Sequence, residues 1–281
     1  MAEATGRSLV MEPDDAYRWP EALEAKRGLG DYPTAPMARA SAGFENLWRM
    51  ALEQPSRFSL GRRDDATAAL LQQPLTATRA AVGDGRSLMP GHAHDPGRPL
   101  ARPQGELLVK TVNASLCADV VAGWLGARVV VVSRDLRQVV SSWSQLAGFE
   151  PEDLHLDRWV RAHILDGVEP PPLPTRLARI AWTVAVLERA LMASARAGAW
   201  RVVAHEDLVR DPHGKIVELL AALGEPCHER VHAFIDSRRK PGSGFETQRS
   251  DQQLDEWRQR LSAPEWAQVD AVLDRIPRKE P

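Results

Sequence analysis

The chain is 281 residues long and carries 36 Lys and Arg against 38 Asp and Glu, a formal charge of −2. Near-neutrality excludes a whole-surface field that would draw in a nucleic-acid backbone or an anionic membrane, so any anion site must be local. Two cysteines, Cys117 and Cys227, cannot build a disulfide framework, no apolar run approaches bilayer length, and Met1 to Asp15 lacks the apolar core of a signal peptide; the expectation is one cytoplasmic domain over residues 1–281.

In chain order, four short apolar runs predict strands: Ser8 to Met11, Glu106 to Thr111, Ala127 to Ser133 and Arg201 to His205. Continuous apolar runs are the pattern of a parallel sheet covered on both faces. Apolar residues spaced by three and four predict helices at Leu116 to Leu125, Leu136 to Leu146, Ile180 to Ala193 and Pro212 to Leu223. The last of these opens on Asp211-Pro212 and closes on Gly224, the residue types that cap a helix at its two ends. Strands alternating with helices predict an α/β fold. Residues 82–104, rich in Gly and Pro, and Glu169 to Pro174, with four prolines, read as connections. The wider stretches 31–104 and 150–178 read as the loops that shape a substrate site.

Arg134 follows the third predicted strand, and the C-terminal edge of a parallel sheet is where open α/β sheets bind ligands. Ser142 lies about two helical turns further on. Forked guanidinium donors and a hydroxyl suit a phosphate monoester. The same spacing equally fits an arginine paired with a neighbouring carboxylate and a serine that packs as a small helix residue. Cys227 stands near His228 and His232, a faint echo of metal-ligand spacing that does not predict a zinc site; no metal is expected. His92 and His94 read as exposed loop histidines, and Trp124, Trp143 and Trp182 as core.

Arg134 to Trp143 resembles the 3′-phosphate signature of sulfotransferases that use 3′-phosphoadenosine 5′-phosphosulfate (PAPS), in which a Ser follows an Arg by eight residues. Other segments are similar to family elements in the same order: Glu12-Pro13-Asp14-Asp15 with Lys26-Arg27-Gly28-Leu29-Gly30, Leu107 to Thr111, Val203 to Leu208 with Asp211-Pro212, and Arg239-Lys240-Pro241-Gly242-Ser243-Gly244. Trp257 resembles part of a C-terminal motif. The resemblance implies a P-loop-kinase-like parallel sheet flanked by helices. It implies PAPS as donor substrate, a hydroxyl of a carbohydrate or small molecule as acceptor, and Arg134, Ser142, Arg239 and Lys240 as the holders of the 3′-phosphate.

Two features depart from that family. No Pro-x-Ser-Gly-Thr-Thr loop for the 5′-phosphosulfate is present, so the resemblance implies an N-terminally incomplete domain. After Lys110 come Thr111, Val112 and Asn113 where many members carry a His base. Glu12, after the first predicted strand, is the alternative base, or else a loop carboxylate paired with Lys26 or Arg27; Lys110, ending its strand, is expected to face the ligand crevice. The missing loop leaves open a second function class, a non-catalytic nucleotide-binding or interaction protein. A P-loop kinase is disfavoured because no Gly-Lys-Ser/Thr occurs.

Overall fold

Strands and helices alternate through the described residues of the computed structural model, 8–16, 18–58, 107–146, 149–238 and 255–276, giving an α/β protein with two small parallel sheets. Arg239, Lys240, His92, His94 and the 82–104 connection lie outside the described residues. The chain divides into two compact units, Met1–Ala127 and Arg128–Pro281. Among the described residues no helix is long and apolar enough to cross a membrane.

In the first unit β1 (Ser8–Met11) pairs in parallel with β2 (Leu107–Lys110), Met11 opposite Lys110, so both strands end at one edge. Helices α1 (Pro20–Ala25), α2 (Ala35–Ala40) and α3 (Ala42–Glu53) separate them in sequence, and α4 (Ala118–Leu125) follows β2. Ser41 caps α3 by accepting from the Phe44 amide at 3.2 Å, and Gly126 ends α4 at φ +56°, a left-handed conformation that costs glycine nothing. Phe44, Leu47, Trp48, Ala51 and Leu52 form one buried stripe on α3. Phe44 meets Trp48 and Trp124 edge-on, with centroids 6.2 and 6.3 Å apart, and these rings fill the core of the unit. The described part of the stretch 31–104, read from sequence as loop, therefore holds α2 and α3, and the α3 stripe is the reason.

In the second unit β3 (Val130–Ser133) pairs in parallel with β4 (Arg201–Ala204). Between them run α5 (Leu136–Ser144), α6 (Arg158–Val160), which passes into a π turn over Arg161–Leu165, and α7 (Arg176–Ala197); α8 (His205–Arg210), α9 (Pro212–Ala222), α10 (Glu229–Arg238) and α11 (Ala263–Leu273) follow. The long α7 is buried almost all round and packs against α5 and α11, the behaviour of a central helix. Arg176 caps the end of α5, donating to the carbonyls of Ser144, Leu146 and Phe149 at 2.8–3.0 Å. Asp211 caps α9 by accepting from the Gly214 amide at 2.9 Å, and Gly224 beyond its end takes φ +68°, as its flanking residues predict.

The strands differ from expectation in their cover. Val131 packs into a cluster with Met192 and Ala195 of α7, but Val132, facing the other way, is 54% exposed. Side chains alternate across a strand, and the face of β3 that carries Val130 and Val132 is covered only in part. Trp124 and Trp182 are core residues as expected; Trp143 is half-buried, edge-on to Phe149.

Candidate functional site

Ser133 and Ala204 are register partners at the ends of β3 and β4, and a cavity of about 530 Å³ opens there, at the C-terminal edge of the sheet. Arg134, the first residue past β3, lines it. Its Nε donates to Gln138 Oε1 at 2.7 Å, and Gln138, one helical turn later on α5, is only 4% exposed. A buried amide thus holds the guanidinium from beneath. Arg210 and Arg258 line the same cavity, so three forked cations converge on it.

Three carboxylates also line the cavity, each with a bond of its own. Asp135 caps α5, accepting from the Arg137 amide at 2.8 Å. Glu206, in the first turn of α8, accepts from the Asp135 amide at 3.1 Å and so ties the start of α8 to the start of α5. Asp255 pairs with Arg258 at 3.0 Å, where both side chains are largely exposed and the pair contributes little. Trp257 is a buried wall: its carbonyl accepts from Ser141 Oγ at 3.3 Å, its ring meets Trp266 edge-on at 5.1 Å, and Arg258 lies 5.2 Å from its centroid. The whole is a polar concavity walled by three guanidinium groups and three carboxylates, in which Arg134 at the strand end supplies donors that suit an anionic ester.

Ser142, expected beside Arg134, sits on α5 one turn beyond Gln138 and is half-buried, but does not line this cavity. Gln138, Arg210 and Arg258 were not singled out from sequence. For Gln138 a signal exists, a polar residue four places after Arg134 on one helix face; for the two arginines only the folded chain supplies it.

The edge of the first sheet brings Glu12 and Lys110 together. Glu12 follows β1, and its amide donates to the Lys110 carbonyl at 2.6 Å, extending the ladder by one bond. Its backbone takes φ +45°, a left-handed conformation that strains a residue with a Cβ by roughly 1 kcal/mol. Glu12 is 7% exposed; Lys110 Nζ pairs with its Oε1, and Arg18 Nη2 lies 3.4 Å from Oε2. Burial lowers the Lys110 ammonium below its ordinary range. The expected partners of Glu12 are engaged elsewhere: Arg27 pairs with Glu24 at 2.8 Å, and Lys26 donates to the carbonyls of Asp14 and Asp31.

Asp14, beside this edge, is fully buried. Thr111 Oγ1 donates to its Oδ1 at 2.7 Å, while Oδ2 has no hydrogen-bond partner among the described residues. Burial raises its carboxyl above 3.8, with Lys26 opposing. The native state then keeps a proton that the unfolded chain has released, so this contribution to stability is whole below pH 3.8 and is lost as pH rises through the folded value. The stability difference between wild type and Asp14→Asn, from urea midpoints at stepped pH, should shift in favour of the variant by up to about 1.4 kcal/mol per pH unit in that window. A pH-independent difference overturns the assignment.

No family model, curated protein or solved structure matches the chain. Among the described residues no group of three or more His, Cys, Asp or Glu is arranged to hold a metal ion.

Proposed function

We propose that the chain is a sulfotransferase of the PAPS-dependent type, with the P-loop-kinase-like fold that its sequence resemblance implies, passing a sulfuryl group to a hydroxyl of a carbohydrate or small molecule. The observation that carries this reading is Arg134, fixed by Gln138 at the end of β3 in a cavity that also presents Arg210 and Arg258. In that role Arg134 grips the 3′-phosphate of the nucleotide, with Arg239 and Lys240 assigned to the same group by resemblance; Ser142, which the resemblance also assigns there, does not line the cavity of Arg134. The acceptor oxygen attacks sulfur, the bridging S–O bond to the 5′-phosphate breaks, and 3′-phosphoadenosine 5′-phosphate leaves. The resemblance alone assigns the hydroxyl proton to Glu12 and the charge on the leaving phosphate oxygen to Lys110.

The ion pairs on Glu12 favour a second reading. A carboxylate flanked by Lys110 and Arg18 must take its proton against two cations that favour its charged form. A protein that binds the nucleotide without turnover has no such requirement. Calorimetric titration with 3′-phosphoadenosine 5′-phosphate tests what the two readings share, and absence of binding removes both. Transfer of labelled sulfate from PAPS to a panel of sugar and phenol acceptors separates them: turnover supports the enzyme, and binding without turnover supports the second reading.

A further inference from the structure

Away from the Arg134 cavity, the second unit holds a chain of four side chains that the proposed transfer does not use. Cys227 lies between α9 and α10, His232 and Asp236 stand one turn apart on α10, and His213 is in the first turn of α9. Cys227 Sγ is 3.5 Å from His232 Nε2, His232 Nδ1 is 2.8 Å from His213 Nδ1, and His213 Nε2 is 2.9 Å from Asp236 Oδ1. The imidazole planes are 12° apart and their centroids 5.1 Å apart. That separation is the N···N contact plus one ring radius at each end, so the rings meet edge to edge in one plane and share an in-line N–H···N bond.

Donor and acceptor rules fix the direction of the chain. An ionised carboxylate only accepts, so His213 Nε2 carries a hydrogen and donates it to Asp236. Only one hydrogen fits between the facing Nδ1 atoms. With both rings neutral, His213 Nδ1 is bare, His232 Nδ1 donates to it, and His232 Nε2 faces the thiol as an acceptor. Asp236 therefore sets the tautomer of His213, His213 sets that of His232, and His232 is left as a base aimed at sulfur, the arrangement that activates nucleophilic thiols. When the thiol proton passes to His232, the imidazolium is held by His213 with the Asp236 carboxylate behind it. The cluster is open to solvent: the His213 side chain is 32% exposed, that of Asp236 62%, and Cys227 is half-buried. His228, the neighbour that sequence spacing suggested, is exposed and makes no contact in this chain of bonds; His213 takes its place.

We infer that Cys227 is a nucleophilic thiol, deprotonated by His232 and modified by hydroperoxides. The thiolate attacks the terminal oxygen of ROOH; the S–O bond forms, the O–O bond breaks, and the departing RO⁻ takes the proton from His232 Nε2. The products are the sulfenic acid and ROH, with sulfur oxidised by two electrons and the peroxide reduced by two.

Cys117 is the internal reference, since it is fully buried and burial pushes its thiol up. At neutral pH an unassisted thiol is only a few per cent thiolate, so the full-length chain should alkylate at Cys227 with iodoacetamide about tenfold faster than free N-acetylcysteine amide, read by peptide mass. Hydrogen peroxide with dimedone should label Cys227 and spare Cys117. His232→Ala distinguishes a base from a covering ring by sign: loss of a cover exposes sulfur and speeds alkylation, whereas loss of the base slows it to the unassisted rate. Asp236→Asn, which does not touch sulfur, should slow it about two- to threefold. A wild-type rate no higher than that of the free thiol overturns the inference whatever the variants do. Acceleration in His232→Ala, an unchanged rate in Asp236→Asn, or alkylation without dimedone labelling each do so as well.

Discussion

Arg134→Lys is expected to weaken binding of 3′-phosphoadenosine 5′-phosphate about 100-fold although it keeps the charge, and Arg134→Ala at least as much. The reason is geometry. Arg134 Nε donates to Gln138 Oε1 at 2.7 Å, and since Gln138 is 4% exposed on α5 the guanidinium is tethered before any ligand arrives. A planar fork can offer two parallel donors to phosphate oxygens, and one already tethered has less side-chain entropy to lose. Lysine offers a point charge on a flexible stem and cannot reproduce both the bond to Gln138 and the fork. Gln138→Leu should cost less, about tenfold, because the arginine survives and only its orientation is freed. Calorimetric titration gives the affinities and urea unfolding the stabilities, which should stay within about 1 kcal/mol of wild type since Arg134 lies at a cavity wall. A lysine variant that binds as tightly as wild type would show that charge alone suffices and would sink the fork argument.

Arg134 was legible in the sequence because it depends on a local rule: a buried apolar run ends, and the next residue stands at the ligand-binding edge of the sheet. The same holds for α9, where Asp211, Pro212 and Gly224 each act through their own backbone. Gln138 carries the same local signal, but its meaning depends on burial, which spacing does not reveal. Arg210 and Arg258 reach the cavity from α8 and from the turn before α11, and no local pattern joins them to β3. The thiol cluster shows the limit most clearly. Cys227 and His232 are neighbours in sequence, but the group that sets the tautomer of His232 comes from α9, across the helical hairpin. In the first unit Glu12 was placed correctly at a strand end, yet its partners are Lys110 from the adjacent strand and Arg18, not the nearby Lys26 or Arg27. The run Ala127 to Ser133 shows the reverse error: its apolar character is real, but continuity could not show that Val132 is left 54% exposed.

The largest loss of stability from a single truncation should come at Trp182. It lies in the first half of α7, is 1% exposed, and is flanked by Ile180, Ala181, Val184, Ala185 and Val186, all buried. Removing an indole from such a site leaves a cavity that the surrounding helices cannot close, and Trp182→Ala is expected to cost about 3–5 kcal/mol. Trp182→Phe should behave quite differently. The indole Nε1 is buried with no hydrogen-bond partner among the described residues. A buried unsatisfied N–H costs about 1–3 kcal/mol, so phenylalanine gives up part of the packing area but removes that penalty, and the net change should stay within about 1 kcal/mol. Trp143, half-buried and edge-on to Phe149, is the comparison on α5: Trp143→Ala should cost less than half as much as Trp182→Ala, because less surface leaves water when that residue folds into place. Urea midpoints at constant slope check all three. Should Trp182→Phe prove as damaging as Trp182→Ala, the indole N–H contributes a bond of its own, and the account of Trp182 as a packing residue alone fails.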